Sequence, residues 1–307
     1  MSYRIGIDIG STTVKTVVLS DTGELLFHAY ERHFSSVREK AAEQLKQASW
    51  LFEDGQRAAP AITGSAGLGV AKASGLPFVQ EVYATAAIVR KRIPDADAVI
   101  ELGGEDAKII FFGGSLEERM NGTCAGGTGA FIDQMATLLN VTVPELDELS
   151  LRHEKIYPIA SRCGVFAKSD IQPILNQGGR REDIAASIFQ AVVDQTVSGL
   201  TQGRELTGKL VFLGGPLTFI MGLRERFTET LELDDEHAIF PKDAGRTAEV
   251  PQSEYLASGK STTISPLFRA WSMFLTRLTL FVNLRLQMPP TAFSSHPMPI
   301  KPSMATI

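Results

Sequence analysis

The chain has 307 residues, 44% of them hydrophobic, and a formal net charge of −5. This length and apolar content exclude disorder of the whole chain and allow two domains of ordinary size with buried cores. The acidic balance gives no electrostatic reason to expect nucleic acid as a partner. Two cysteines in so long a chain argue against a disulfide framework, and the N-terminus enters a strand pattern instead of a signal peptide. We therefore expect a reducing cytoplasm as the compartment.

The first motif is a strand-turn-strand unit at the N-terminus. Apolar strands are predicted over residues 4–8 and 14–19, joined by the turn Gly10-Ser11-Thr12-Thr13. Backbone N–H groups and hydroxyls of such a turn suit phosphate oxygens, and Asp8 at the strand end is placed to hold Mg²⁺ through water. An ordinary hairpin with an aspartate beside its turn is an equally good interpretation of these residues alone. A strand over 25–30, a helix over 37–52 and a strand entering a tight turn over 61–67 are predicted next.

The pattern then starts again. Strands are predicted over residues 98–102 and 107–112, with Gly103-Gly104-Glu105-Asp106 as the turn. Glu101 lies 93 positions after Asp8, which indicates two copies of one unit that face each other across a cleft. A carboxylate in such a cleft orients water for attack on a γ-phosphate or holds a metal through water. Glu101 and the two acids of the turn therefore join Asp8 as catalytic candidates, although the turn acids also fit a second interpretation, as solvated turn residues.

The first cysteine lies in a glycine-rich stretch that precedes a helix predicted over residues 131–139. The stretch is Asn121-Gly122-Thr123-Cys124-Ala125-Gly126-Gly127-Thr128-Gly129-Ala130. Its glycines can expose backbone N–H groups to a phosphate, and the helix adds its positive end. The same field favours the thiolate of Cys124, which suits a metal or cluster ligand. A nucleotide site and a thiolate site are therefore expected close together.

The second cysteine, Cys163, has a matching setting, because a small residue follows it and a helix is predicted over residues 167–176. Cys124 and Cys163 are 39 positions apart, far from a CxxC motif, and two isolated cysteines are more often small buried core residues. Their matched positions ahead of helices favour a role as ligands instead. Two thiolates cannot complete a four-ligand site, so a cluster on this pair requires two further ligands from a second chain.

A third glycine element follows a long helix predicted over residues 181–205. An apolar strand over 210–213 stops at Gly214-Gly215, and a helix is predicted over 217–227. A strand, a glycine pair and a helix make a further phosphate-binding candidate, although a glycine pair alone is weak evidence. Its position after the two hairpins gives it weight.

Together these motifs resemble the acetate kinase, sugar kinase, Hsp70 and actin superfamily. The resemblance is carried by Asp8-Ile9-Gly10-Ser11-Thr12-Thr13, Glu101-Leu102-Gly103-Gly104-Glu105-Asp106, the stretch from Asn121 to Gly129, and Gly214-Gly215. With Cys124 and Cys163, the chain is similar to the activator ATPases of 2-hydroxyacyl-CoA dehydratases and the related ATPase subunits of benzoyl-CoA reductases, over about residues 3–241. The resemblance implies an α/β fold of two duplicated actin- or ribonuclease H-like subdomains, residues 1–94 and 95–244, with a nucleotide cleft between them.

The resemblance also implies cofactors and partners. It implies a homodimer with one [4Fe-4S] cluster held by Cys124 and Cys163 of each subunit, and ATP/ADP with Mg²⁺ in the cleft. ATP hydrolysis would drive a strongly reducing electron into a partner Fe–S protein, a dehydratase or a benzoyl-CoA reductase-like enzyme. A ferredoxin or flavodoxin is the implied upstream electron donor. Neither nucleic acid nor a membrane is expected as a partner. The implied nucleotide-binding residues are Gly10, Ser11, Thr12, Thr13, Gly103, Gly104, Gly126, Gly127, Thr128, Gly129, Gly214 and Gly215. The chain departs from the family at Glu105, where smaller members often have Gln, and at Pro216.

Two other functions fit the same fold. One is a small-molecule kinase with an acid such as Asp106 as base, and the other is a non-catalytic nucleotide sensor. Against the kinase, the sequence offers no additional substrate domain, and a kinase has no need for two cysteines at helix starts. A protein that is brown when purified without oxygen favours the activator.

The sequence after residue 244 leaves the family pattern. Residues 245–307 are more basic than acidic and carry several prolines near the end, so we expect a poorly ordered tail. Residues 271–286 are apolar enough for an amphipathic helix, but Arg277 and Arg285 argue against a membrane span. A docking or membrane-surface segment, a shifted reading frame and a truncated longer protein are the alternatives. Because the family's Gly/Ala-rich helix beside the adenosine is not legible here, we expect weak ATP binding.

Overall fold

A computed structural model describes residues 2–53, 56–121, 126–160, 163–241 and 262–263. Within these residues ten strands form two five-stranded sheets, accompanied by nine α-helices. Cys124 lies outside the described residues. The tail from residue 242 onward, apart from residues 262–263, also lies outside the described residues, so the predictions made for it stay predictions.

The first sheet is built around the N-terminal hairpin. Its strands are β1 (Ser2–Ile9), β2 (Thr13–Leu19), β3 (Leu25–Arg32), β4 (Arg57–Thr63) and the short β10 (Thr262–Thr263), in the order β10-β4-β1-β2-β3. β1 pairs antiparallel with β2 and parallel with β4. The side chains of Tyr3, Ile5, Ile7 and Ile9 alternate along β1 and enter one core cluster, as expected for a strand with period two.

The second sheet repeats the first. Its strands are β5 (Ala96–Leu102), β6 (Ala107–Phe111), β7 (Glu117–Met120), β8 (Lys209–Leu213) and β9 (Ala238–Ile239), in the order β7-β6-β5-β8-β9. β5 pairs antiparallel with β6 and parallel with β8, as β1 does with β2 and β4. The predicted α/β duplication is therefore confirmed.

The helices follow the strands in chain order. They are α1 (Val37–Ala48), α2 (Gly67–Ser74), α3 (Glu81–Arg92), α4 (Gly129–Leu138), α5 (Val143–Ser150), α6 (Gly164–Asn176), α7 (Arg181–Thr201), α8 (Gly215–Phe219) and α9 (Met221–Thr230). The long helix α7 is the centre of the largest core, where Ile184, Ile188 and Val192 are fully buried on one face at helical spacing. It ends four residues earlier than predicted, because Gln202 turns into the left-handed region with a φ of 48°.

The predicted helix over residues 217–227 is wrong as a single helix. The chain breaks at Ile220, which has extended dihedral angles (φ −107°, ψ 105°) and separates α8 from α9. The carboxylate of Asp147 accepts hydrogen bonds from the backbone N–H groups of Met221 at 3.0 Å and Gly222 at 2.7 Å. This distant acid caps α9 and makes the break favourable.

Among the described residues, no helix has the length and apolar character that crossing a bilayer requires.

Candidate functional site

The two hairpin turns have the same geometry and touch each other. The N–H of Gly10 donates to the carbonyl oxygen of Thr13 at 3.0 Å, and the N–H of Gly103 donates to that of Asp106 at 2.7 Å. A Cβ atom added at Gly104 would lie 2.3 Å from Thr12 Oγ1. Only a glycine therefore allows the second turn to approach the first this closely.

Each hairpin carries an acid and a lysine opposite each other. Asp8 pairs in register with Lys15, and Lys15 Nζ lies 2.9 Å from Asp8 Oδ2. Glu101 pairs in register with Lys108, with 3.8 Å between Lys108 Nζ and Glu101 Oε2. Neither lysine belongs to the motifs recognised in the sequence. The signal was present, because Lys15 and Lys108 are separated by the same 93 positions as the two acids.

The two acids keep unused oxygen atoms in the interior. Asp8 is 6% exposed and Glu101 is 8% exposed. Within the described part of the chain, Asp8 Oδ1 and Glu101 Oε2 have no hydrogen-bond partner, and neither has Oγ1 of Thr63, whose residue lies beside Asp8 in the sheet. Buried polar atoms without partners are costly, so these atoms suit a bound ligand such as a hydrated cation.

A third acid joins the cluster from helix α3. Glu81 Oε1 lies 2.8 Å from Lys108 Nζ, and Asp106 Oδ2 lies 3.1 Å from the same nitrogen. Burial and the nearby carboxylates of Glu101 and Asp8 raise the pKa of Glu81 to about 8, against the opposing effect of Lys108. Glu81 was not predicted from the sequence, because nothing in its local pattern places α3 beside the second hairpin.

The lysines stay charged. Burial lowers the pKa of the Lys15 ammonium, but the Asp8 carboxylate leads the opposing effects, which outweigh it and raise the pKa above its ordinary value. Burial likewise lowers the pKa of Lys108, and the carboxylates of Glu101, Glu81 and Asp106 outweigh it. Since its raised pKa leaves Glu81 largely protonated near pH 7, the other three acids of the cluster face these two cations.

The remaining candidate acid is placed differently. Glu105 is exposed in the second turn, whereas Asp106 is half-buried against Lys108. Of the four predicted catalytic acids, three therefore lie in the cluster and one lies at its edge.

Helix α4 begins directly on the second turn. The backbone N–H groups of Gly129 and Ala130 donate to the carbonyl oxygens of Gly103 at 3.0 Å and Gly104 at 2.7 Å. The amide of Gly129, a predicted phosphate donor, ties the helix to the hairpin in this arrangement. The neighbouring Gly126, Gly127 and Thr128 are buried.

The Gly214-Gly215 pair meets the same region. Gly214 has a φ of 95°, and an added Cβ atom would lie 2.0 Å from the carbonyl oxygen of Leu102. A Cβ atom at Gly215 would lie 2.7 Å from Tyr30 Oη, and one at Gly129 would lie 3.4 Å from Pro216 Cγ. The structure thus gathers the hairpin turns, the start of α4 and the glycine pair in one place.

Cys163 forms the N-cap of α6. The residue is half-buried, and its carbonyl oxygen accepts a hydrogen bond from the N–H of Ala167 at 2.9 Å. A Cβ atom at Gly164 would lie 2.7 Å from Gln134 Oε1 on α4, so α6 begins beside the helix that follows Cys124 in sequence. In the described ranges, no group of three or more His, Cys, Asp and Glu side chains could hold a metal ion.

Comparison with known proteins gives the family. The model of the BadF/BadG/BcrA/BcrD ATPase family matches residues 5–232. The chain belongs to this family. It is 33% identical over 220 residues to the (R)-2-hydroxyglutaryl-CoA dehydratase activating ATPase of Acidaminococcus fermentans, covering 69% of this chain and 82% of that protein.

Two further similarities agree with this. Over 220 residues the chain is 31% identical to the 2-hydroxyisocaproyl-CoA dehydratase activator of Clostridioides difficile, covering 69% of this chain and 80% of that protein. The crystal structure of (R)-2-hydroxyglutaryl-CoA dehydratase component A from Acidaminococcus fermentans superposes with a TM-score of 0.70 at 27% identity, covering 83% of this chain and 97% of that one. The resemblance stated from the motifs is therefore confirmed, and family members of known name include activators of acyl-CoA dehydratases.

Proposed function

We propose that this chain is an ATP-dependent activator that transfers one electron to a partner Fe–S enzyme, a 2-hydroxyacyl-CoA dehydratase or a benzoyl-CoA reductase-like protein. The observation that carries the proposal is the paired hairpin site, in which Asp8 and Glu101 hold equivalent positions and each has one buried oxygen without a hydrogen bond to the described residues. Membership of an ATPase family and the names of the relatives support it.

In this proposal the cleft binds ATP with Mg²⁺. Asp8 would hold the ion through water, and the turn donors at Ser11 and Thr12 would bind phosphate oxygens. A bound Mg²⁺ neutralises charge on the transferring phosphoryl group. Lys15 occupies one carboxylate oxygen of Asp8, and the other has no hydrogen-bond partner among the described residues, which leaves it for the proposed ligand.

The cluster is proposed on the cysteines. Cys163, half-buried at a helix N-terminus, fits a thiolate ligand, and Cys124 would be the second ligand of each subunit. A [4Fe-4S] cluster supplies one-electron redox chemistry when it is bound. A homodimer would supply the four thiolates, with a ferredoxin or flavodoxin as the electron donor.

The protein itself provides a link between the two sites. Because the N–H groups of Gly129 and Ala130 bond to the second turn, a shift of that turn on nucleotide binding would move the start of α4. Arg32 at the end of β3 adds a second link, since its Nη2 lies 3.0 Å from Asp133 Oδ2 on α4. Both connections lead from the hairpins to the helix that follows Cys124 in sequence.

The direct test is an electron-transfer assay on anaerobically purified protein. We expect a brown protein that, once reduced, passes electrons to a low-potential acceptor only when MgATP is present. A colourless protein that phosphorylates an acid or a sugar would instead support the kinase, and a nucleotide-binding protein with neither activity would support the sensor.

A further inference from the structure

His33 is a buried side chain next to the first hairpin that the proposed mechanism does not yet use. It follows β3 directly and is 6% exposed. It lies outside the cluster of acids and lysines, and no motif of the sequence pointed to it.

Two hydrogen bonds hold His33 against the turn, and a third orients its ring. Its backbone N–H donates to the carbonyl oxygen of Thr12 at 3.1 Å, and its ring Nε2 lies 3.2 Å from the carbonyl oxygen of Gly10. The N–H of Ser35 donates to ring Nδ1 at 3.1 Å. Since Nδ1 accepts, the ring proton is on Nε2, which donates to Gly10. One residue therefore binds two carbonyl oxygens of the same turn.

The backbone after His33 is strained in a way that serves these contacts. Phe34 and Ser35 have φ values of 45° and 67°, in the left-handed region that favours glycine. The ring of Phe34 is 82% exposed, so burial of that ring does not compensate the strain. The conformation instead directs the N–H of Ser35 to His33 Nδ1 and so fixes the ring tautomer.

The second hairpin satisfies the equivalent carbonyl in another way. Gly103 occupies the position of Gly10, and its carbonyl oxygen accepts from the N–H of Gly129 at the start of α4. In the first hairpin, where no such helix start is bonded to the turn within the described residues, His33 Nε2 takes that place. The equivalent carbonyl oxygen thus accepts a hydrogen bond in both halves, from the first N–H of a helix in one and from an imidazole in the other.

Hydrogen bonds to the carbonyl oxygens of the turn fix its backbone and therefore the direction of its N–H groups. In the part of the chain that the structure describes, the N–H groups of Ser11 and Thr12 donate to no protein acceptor. We propose that His33 is a positioning residue that holds the turn Gly10-Ser11-Thr12-Thr13 in the shape in which these amides bind a phosphate group. The identity of the phosphate ligand as ATP rests on the proposed function.

The test compares two side-chain amides. His33→Gln can place an N–H donor near the position of Nε2, whereas His33→Asn reaches only the position of Nδ1. We expect His33→Asn to raise the KM for ATP, and the Kd of a non-hydrolysable ATP analogue, about tenfold, while kcat changes less than about twofold. His33→Gln should stay within about threefold of the unchanged protein. His28→Asn, on an exposed position of β3, is the matched control.

Amide hydrogen exchange at Gly10, whose N–H donates to the carbonyl oxygen of Thr13 across the turn, separates this inference from the proposed function when it is measured in nucleotide-free protein. Faster exchange in His33→Asn but not in His33→Gln supports the positioning role even if the chain neither binds nor hydrolyses ATP. Unchanged exchange and unchanged analogue binding in His33→Asn overturn it. Equal losses of binding and of melting temperature in both variants also overturn it, because they would assign His33 to packing alone.

Discussion

At the scale of single residues, the site is a cluster of four acids, Asp8, Glu81, Glu101 and Asp106, around two lysines, Lys15 and Lys108. Asp8 is the clearest case, because one of its oxygens binds Lys15 and the other has no partner in the described residues. Because the two oxygens have different roles, loss of the Asp8 charge should affect ATP hydrolysis and protein stability separately.

Asp8→Asn should reduce Mg²⁺-dependent ATP hydrolysis about tenfold or more, because the amide cannot replace the carboxylate as the proposed metal anchor. It should also destabilise the protein by about 3–5 kcal/mol, because Lys15 is left buried without its partner. Steady-state hydrolysis and urea unfolding measure the two effects.

The control for this variant is the double substitution Asp8→Asn with Lys15→Met. It removes the stranded charge, so stability should recover while hydrolysis stays lost. Hydrolysis by Asp8→Asn at the rate of the unchanged protein would show that the metal is anchored elsewhere.

Glu81 gives the site a pH dependence. Its pKa is raised to about 8 in the folded protein by burial and by neighbouring carboxylates, above the ordinary value of 4.5. Between these two values the folded state binds more protons than the unfolded state, so stability falls as pH rises through that window. Glu81→Gln mimics the protonated form. Its melting temperature should match the unchanged protein near pH 5 and exceed it increasingly towards pH 8.5.

The matched control is Glu105→Gln, since Glu105 is exposed in the adjoining turn. It should follow the unchanged protein at every pH. A constant difference between Glu81→Gln and the unchanged protein, independent of pH, would show that Glu81 does not titrate in this range.

At the scale of elements, local sequence patterns predicted most of the strands and helices but not the contacts between them. The two hairpins and the long α7 were predicted because apolar periodicity and turn residues determine them locally. The break at Ile220 was not, because Asp147, more than 70 positions away, caps α9. The 93-residue spacing of Lys15 and Lys108 is present in the sequence, but their pairing with the acids follows only from the strand register.

The contact between the two turns gives a prediction at this scale. Gly104→Ala would place a methyl group 2.3 Å from Thr12 Oγ1, so the turns must separate. We expect a loss of about 1–3 kcal/mol in stability and a clear fall in ATP hydrolysis. Gly69→Ala is the control, because a Cβ atom there meets nothing within 4 Å on helix α2, and it should stabilise the protein by about 0.5–1 kcal/mol. Thermal unfolding and hydrolysis rates decide, and full activity in Gly104→Ala would show that the turns need not touch.

At the scale of the whole molecule, side chains of the two halves also meet outside the turns, among the residues that the structure describes. Tyr30 packs against Phe219 with ring centroids 5.9 Å apart, and Arg32 pairs with Asp133 on α4. Exposed pairs of this kind add little stability, so we expect them to give way when the proposed cleft binds its nucleotide. The duplication could be predicted from the 93-residue repeat, whereas these contacts between the halves depend on side chains distant in sequence.

The proposed cluster joins two copies of the chain and gives the last prediction. Cys163 and Cys124 supply only two thiolates per chain, so anaerobic protein should contain about four iron atoms per two chains and should sediment as a dimer. Cys163→Ser should lose the visible absorption and the iron but keep its far-ultraviolet circular dichroism, because the half-buried N-cap of α6 accepts a serine. Ser169→Ala, at an exposed position of the same helix, should keep both iron and colour. Iron measurement, absorption spectra and sedimentation test the prediction together, and full iron content in Cys163→Ser would remove Cys163 from the ligand set.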